Sequence, residues 1–333
     1  MQSTEDGVAS IVSKAPSQSR PATVSQEPQA PQLRYALITP ARNEQEFIGG
    51  TLESVVNQTV LPVKWVIVND SSTDGTARIA EAYASKYEWI EVITIPKAQD
   101  RSFANKVRAF NAGYEKIRSL DVAVIANIDG DVSFDKRYCE YILDKFTGEK
   151  DLGVAGSVFT EDGYSSAEDS CEGHRHVAGG CQFFRKECFE AVGGYLSNCV
   201  GGIDWIAVTT ARMKGWTTRS FRDVSFFHHR HLGTAERSRL SALFSYGEKD
   251  YYLGGHPLWE LFRVAYRLTG QPYFVGGIAL GAGYGWALLR RAHRPVSDEL
   301  RAFHRKEQML KLRAIVKRLA TLQRVDKFTL LSD

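Results

Sequence analysis

With 333 residues, 43% of them hydrophobic, the chain is long enough to bury a large core, as one big domain or one domain with a long appendage. A formal net charge of +3 and a pI near 8.5 are too mild to make nucleic acid the main partner. The five cysteines (Cys139, Cys171, Cys181, Cys188, Cys199) include no Cys-x-x-Cys pair, which argues against a zinc site or a disulfide framework and for a reducing compartment.

Residues 1 to about 33 are rich in Ser, Pro, Gln and Ala, so this segment is expected to be disordered. Its start, Met1-Gln-Ser-Thr-Glu-Asp6, has no basic stretch followed by an apolar one. It does not read as a signal peptide, and a cytoplasmic location is expected. Tyr35-Ala-Leu-Ile-Thr39 reads as a strand that stops at Pro40, and Ile48, Leu52, Val55 and Val56 mark one face of a helix. Trp65-Val-Ile-Val-Asn-Asp70 is a second buried strand with an acid at its exit, followed by the turn Ser71–Thr76 and a helix bearing Ile79, Ala80 and Tyr83. A third strand, Ile90–Ile95, ends at Pro96. Strands and helices alternating over short connections predict a largely parallel α/β sheet.

Residues 101–118 have the spacing of an amphipathic helix, with Lys106 and Arg108 near its start. Position alone favours a solvated face for these two cations over a phosphate contact. The helix leads into Val122-Ala-Val-Ile-Ala-Asn-Ile-Asp-Gly-Asp131, an apolar run that delivers Asp129 and Asp131 to the carboxyl end of a buried strand. Ligands of open α/β sheets bind at that edge. A helix-like segment then runs to Phe146, Gly153–Phe159 reads as a strand, and the polar stretch 161–176 reads as a mobile loop whose His174 and His176 are incidental. Gly179 and Gly180, just before Cys181, would let a ligand approach the backbone closely. Asp204 opens a helix carrying Ile206, Thr209, Thr210 and Met213, where a cap is the ordinary reading. Ser225-Phe-Phe-His-His-Arg-His231 follows a short strand.

Such a sheet first suggests a dinucleotide-binding enzyme, but that needs Gly-x-Gly-x-x-Gly in the first turn. Here the turn is Pro40-Ala-Arg-Asn-Glu44, with no glycine until Gly49, and no Walker loop is present. Without a glycine cradle, a divalent metal held by carboxylates is the natural way to neutralise ligand phosphates.

Taken together, these segments resemble the family 2 glycosyltransferases of the GT-A fold, over about Tyr35 to His231. Pro40-Ala-Arg-Asn-Glu44 resembles the family's Pro-x-x-Asn-Glu opening. Val68-Asn-Asp-Ser-Ser-Thr-Asp-Gly-Thr76 resembles its Asp-Asp-x-Ser-x-Asp-Gly-Thr signature, with Asn69 in place of the first acid. Asn105 to Gly113 resembles its Gly-Lys-x-x-Ala-x-Asn-x-Gly segment, with Asn105 for glycine, and Asp129-Gly-Asp131 matches the Asp-x-Asp metal motif. The resemblance implies an inverting enzyme with a Rossmann-like, mostly parallel sheet. It places Pro40, Arg42, Glu44, Asp70, Lys106 and Asp129 on the nucleotide sugar, and Asp131 on Mg²⁺ or Mn²⁺. It makes Asp204 the catalytic base, with Ile203 where the family has glutamate, and puts Gly179, Gly180 and Trp205 on the acceptor side. A late histidine is implied as a further metal ligand, for which His228, His229 and His231 compete and His229 is favoured.

Beyond His231 the motifs stop. The expected organisation is a disordered segment 1–33, a glycosyltransferase domain 34–235 and a helical extension 236–333. Pro257–Arg267 reads as an amphipathic helix, and Pro272 to Leu289 carries no charge and is closed by Arg290-Arg291. Three readings compete for it: a marginal spanning helix, a glycine-rich interfacial or re-entrant hairpin, and a buried core element. Between Arg290 and Arg324 basic residues far outnumber the acids Asp298, Glu299 and Glu307, which suits an interfacial anchor on an anionic leaflet. The expected enzyme therefore works peripherally on the inner face of a membrane, on a lipid-linked or polysaccharide acceptor. Two alternatives are a silent sugar-binding scaffold, suggested by Asn69 and Ile203, and a sugar nucleotidyltransferase, which would need a Gly-x-Gly-Thr-Arg loop that is missing.

Overall fold

The structure is a computed structural model that describes residues 33–97, 103–169, 173–198, 200–230, 239–269 and 272–321. The N-terminal segment expected to be disordered (but for Leu33), His231, Cys171, Cys199 and the end of the basic tail lie outside the described residues.

The first half alternates as expected: β1 (Tyr35–Ala41), α1 (Ile48–Val56), β2 (Lys64–Asn69), α2 (Thr76–Ala84), β3 (Ile90–Thr94), α3 (Phe103–Ile117) and β4 (Val124–Ile128). Then come β5 (Val132–Phe134), α4 (Tyr138–Gly148), β6 (Leu152–Glu161), β7 (Tyr164–Ser165), α5 (Ser166–Asp169), β8 (Cys181–Arg185), α6 (Lys186–Val192), α7 (Ile203–Met213) and β9 (Thr217–His228). Four helices follow: α8 (Arg239–Tyr252), α9 (Pro257–Leu268), α10 (Val275–Leu289) and α11 (Asp298–Ala320). The described chain from Leu33 onward belongs to one compact unit.

The strands form one sheet in the order β3-β2-β1-β4-β8-β6-β9-β5, with β7 on β6. β3, β2, β1 and β4 run parallel, β8 lies antiparallel between β4 and β6, β6 and β9 are parallel, and β5 is antiparallel to β9. Period-two alternation sends side chains to two cores. Leu37, Trp65, Ile67, Val124 and Ala126 meet α1, α2 and α4 on one face; Ala36, Ile38, Val66, Val68 and Ile125 meet α3, α6 and α7 on the other. Burial on both faces explains why these strands are continuous apolar runs.

Four details differ from the sequence reading. β1 continues through Pro40, because there it pairs only with Val68 of β2 and its β4 partners end at Ile38, so no ladder bond is missed. The stretch after Asp131 opens as strand β5 rather than helix, its Val132 buried against β9. The loop expected at 161–176 begins as a β6–β7 hairpin turned at Gly163 (φ +74°) and continues into α5. β9 is a long strand of 12 residues.

The C-terminal helices are tied to the sheet domain through α7. Arg212 makes a bidentate pair with Glu307 of α11, both bonds 2.9 Å and both side chains largely buried. Trp205 and Ile206 pack with Leu253, Val296 and Leu300, and the His304 ring stands edge-on to Trp205 at 4.3 Å between centroids. Among the described residues no helix is long and apolar enough to cross a membrane.

Candidate active site

The carboxyl ends of β1, β2 and β4 form the rim where the sequence motifs converge. The β1–α1 and β2–α2 loops are laced together: Asn43, in the left-handed region at φ 55°, accepts from the Thr73 amide (2.9 Å) and takes its own amide to Ser72 Oγ (3.1 Å). The Glu44 amide donates to Thr76 Oγ1 (2.8 Å) and the Gln45 amide to Asp74 (3.1 Å). Asn69, which replaces an acid of the family signature, serves this scaffold by donating to Thr94 (3.2 Å) and accepting from the Ser72 amide (3.0 Å).

Asp70 is buried at the exit of β2 between two guanidinium groups, Arg108 at 2.6 Å and Arg42 at 3.3 Å. Lys106 reaches across to Asp129 (2.6 Å), whose other contact is the Asn127 amide group (3.1 Å). The two α3 cations expected on a solvated face are thus both drawn to rim acids, because buried carboxylates need partners. Burial works against the Lys106 charge, but Asp129, with Asp204 and Asp131 beyond it, holds its pKa above the usual value.

Asp131 is buried beside Asp129, and burial together with that neighbouring acid pushes its carboxyl above the usual range. Its nearest cationic groups stand off, His228 Nε2 at 3.6 Å and Arg230 Nε at 3.8 Å. The other nitrogen of His228, Nδ1, contacts Glu161 at 3.2 Å, so the imidazole bridges two acids. The His229 ring faces elsewhere, with Nε2 on Ser133 (3.0 Å) and its plane stacked on Phe47, while its backbone amide donates to the Asp131 carbonyl. Glu44 lies over the turn, where a Cβ on Gly130 would meet its side chain at 3.2 Å, and pairs with Arg230 at 2.6 Å. Burial, and Asp131 beside it, push Glu44 up to about 8.

Facing the rim, α7 is preceded by its N-cap Gly202, held left-handed at φ 71° with no side-chain cap. Asp204 in its first turn is therefore free of the cap role and sits in the favourable field of the helix N-terminus. Burial would raise its pKa, yet His176, Lys249 of α8, the Trp205 amide and Lys106 together hold it below the usual range. Gly179 is a close approach: a Cβ there would lie 3.0 Å from Asp204 Cβ, and one on Gly180 would lie 2.9 Å from the Phe226 ring. The volume these glycines leave is taken by protein side chains. Trp205 is committed to packing beneath α11, and Ile203 is buried in the core.

The site thus gathers Pro40, Arg42, Glu44, Asp70, Lys106, Asp129 and Asp131 on one rim, with Asp204 coupled to it through Lys106. Arg108, Glu161, His176, Arg230 and Lys249 join them without having been singled out for the site. Among the described residues no group of three or more His, Cys, Asp or Glu side chains is placed to hold a metal ion. Asp131 with His228 fits a metal shared with ligand phosphates, which needs only one or two protein ligands.

A sheet whose parallel half carries paired acids and cations at its carboxyl rim defines an α/β protein with a polar site at that edge, and its motif order narrows the class further. Residues 36–193 match the family described as glycosyl transferase family 2, and the chain carries a domain of that family in the GT-A fold. A relative from Staphylococcus aureus, 4,4'-diaponeurosporenoate glycosyltransferase, is 30% identical over 182 residues. The match covers 48% of this chain and 46% of the relative, so the chain aligns with a little under half the length of the curated relatives it matches. Among solved structures, a mannosyltransferase from Pyrobaculum calidifontis in complex with GDP-Man and Mn²⁺ superposes with a TM-score of 0.53 at 19% identity, covering 88% of this chain and 84% of its own. S. aureus TarS 1–349 in complex with UDP-GlcNAc gives 0.51 at 13% identity, covering 90% of each chain. At these identities the likeness establishes the fold.

Proposed function

We propose that the protein transfers a sugar from a nucleotide-diphosphate sugar to an acceptor hydroxyl with inversion at the anomeric carbon. The observation that carries this reading is the placement of Asp204 in the first turn of α7, set against Gly179 just ahead of β8, with Lys106 paired to Asp129 of the donor rim at 2.6 Å. Asp70 with Arg42 and Arg108 would receive the nucleoside, and Asp129 with Lys106 the ribose and sugar. A divalent metal held by Asp131 and His228, when bound, neutralises the leaving diphosphate. The acceptor hydroxyl attacks from the side of Asp204 and passes its proton to that carboxylate. The new C–O bond forms as the anomeric carbon–phosphate oxygen bond breaks, and the nucleoside diphosphate leaves with the electron pair.

Structural neighbours that hold GDP-Man and UDP-GlcNAc support a donor of this kind without fixing its base. A role as silent scaffold is less well supported, because Asn69 and Ile203, its two motivating departures, both have structural work of their own. The acceptor is proposed to be lipid-linked or part of a polysaccharide, met at the cytoplasmic face of a membrane. The deciding experiment is Asp204→Asn, assayed for transfer and titrated with donor by calorimetry. Transfer should fall about 10²–10⁴-fold with donor affinity kept; a parallel loss of donor binding would remove Asp204 from the base role.

A further inference from the structure

α10 is a helix with no charged residue, yet most of its large apolar side chains face away from the protein: Val275, Ile278, Trp286, Leu288 and Leu289 are exposed, while Leu280 and Tyr284 are buried. Glycines make up half of its inward positions, Gly276, Gly277 and Gly283 being buried beside Leu280, Tyr284 and Ala287. A Cβ on Gly283 would collide with the Phe244 carbonyl of α8, one on Gly277 would lie 2.8 Å from the Val264 carbonyl of α9, and one on Gly281 would lie 3.2 Å from the Val264 side chain. Backbone packs on backbone at Gly277 and Gly283, and most of the bulky residues are left outside. Val275, Ile278, Ala282, Trp286 and Leu289 recur at helical spacing along the outer side, with Ile278 63% and Leu289 80% exposed. On α9, Leu258, Leu261 and Ala265 form a matching outer stripe, Leu261 being 65% exposed. Tyr273 and Phe274, at the turn joining the helices, are exposed as well.

We propose that the outer face of the α9–α10 hairpin is a docking surface for an anionic lipid bilayer, on which the helices lie in the plane of the headgroups. Three observations favour lipid over protein. Among the described residues no helix is long and apolar enough to span, so the apolar face is one that a bilayer meets from the side. Residues 273–291 contain no acid, and the only acid of α9, Glu260, is buried beneath the face. Finally, Arg290 and Arg291 are exposed where α10 ends, with Arg290 stacked 5.3 Å from the Trp286 ring, which sets cations beside an aromatic at headgroup depth. A second copy docked face to face would bring the same acid-free stripe and no carboxylate to meet these arginines.

The surface deepens the acceptor side of the proposed function and rests on that reading only for the reaction itself. α8, gripped by α10 through Gly247 and Gly283, carries Lys249 toward Asp204. One helix layer therefore separates the bilayer face from the base, as a lipid-anchored acceptor requires.

The test is co-sedimentation of the full chain with phosphatidylcholine vesicles, with and without phosphatidylglycerol. Binding is expected to the anionic vesicles and to fall at least about tenfold in the Leu261→Ser/Ile278→Ser/Leu289→Ser variant. Arg290→Glu/Arg291→Glu should weaken binding to anionic vesicles with little change on neutral ones. Unchanged melting and nucleotide-sugar binding in both variants separates this outcome from a failure of the catalytic reading. Wild-type-like sedimentation of the triple variant would overturn the proposal. So would absent vesicle binding, whether the protein is monomeric by light scattering or pairs through this face.

Discussion

Glycine serves two distant regions of this molecule in opposite ways. At the sheet rim, Gly179 and Gly180 give up volume to side chains, the Asp204 carboxylate and the Phe226 ring. In the C-terminal hairpin, Gly247, Gly277 and Gly283 give up volume to neighbouring backbone. The rim thereby admits charge, and its acids are answered by cations from other elements: Asp70 by Arg42 and Arg108, Asp129 by Lys106, Glu44 by Arg230. The hairpin lets helices approach so closely that most of the larger residues of α10 turn outward, only Leu280 and Tyr284 being buried. The same residue type thus builds a polar cleft in one place and an apolar exterior in the other, depending on what moves into the vacated space.

That contrast can be broken experimentally. The largest effect should come from Asp131→Ala, which removes the carboxylate proposed to hold the metal; kcat should fall on the order of 10³-fold, with Mn²⁺-dependent donor binding lost in calorimetry. Full activity in excess chelator would sink the metal reading. Next, Gly283→Ala inserts a methyl group into the α8 backbone. Overpacking of this kind costs about 3 kcal/mol or more, visible as a lowered denaturation midpoint, whereas an unchanged midpoint would show that the helices can part freely. Glu161→Gln should weaken Mn²⁺ affinity about 10–100-fold by freeing the His228 ring, with nucleotide binding in the absence of metal unaltered. An unaltered Mn²⁺ affinity would assign Glu161 to the hairpin alone.

The smallest effect concerns Glu260, buried between Arg263 and Asp250 at the α8–α9 junction. Burial, then Asp250, push its pKa to about 8 from an ordinary 4.5. A raised acid contributes stability below its unfolded pKa and loses it as pH rises through the folded value. Stability should therefore decline between about pH 4.5 and 8 relative to Glu260→Gln, by no more than about 1.4 kcal/mol per pH unit. Parallel pH curves for the two proteins would show that Glu260 is not the group responsible.

The strands and the rim acids were legible because a strand buried on both faces writes itself as an apolar run ending in a ligand-facing residue. Which histidine stands beside Asp131 was less so, although its signal was present. In β9, Phe226 and His228 both contact Phe159 while Phe227 and His229 contact each other, so alternation places 228, not 229, on the face of Asp131. Extending the strand to that point would have shown it. The roles of Arg108, Glu161 and Lys249 were not readable, because each partner is distant in sequence and no local pattern marks such a pairing. The uncharged run of α10 was visible too, but which side its glycines faced depended on where α8 and α9 lay.

The grip of α10 on α8 ties two glycines, far from the rim in sequence, to the surroundings of Asp204. Lys249 lies two residues beyond Gly247 on the same helix and helps keep Asp204 ionised. A side chain added at Gly247 or Gly283 would wedge α8 outward and carry that ammonium with it. A change at either glycine is therefore expected to reach the Asp204 carboxyl through Lys249, although neither glycine lies at the rim.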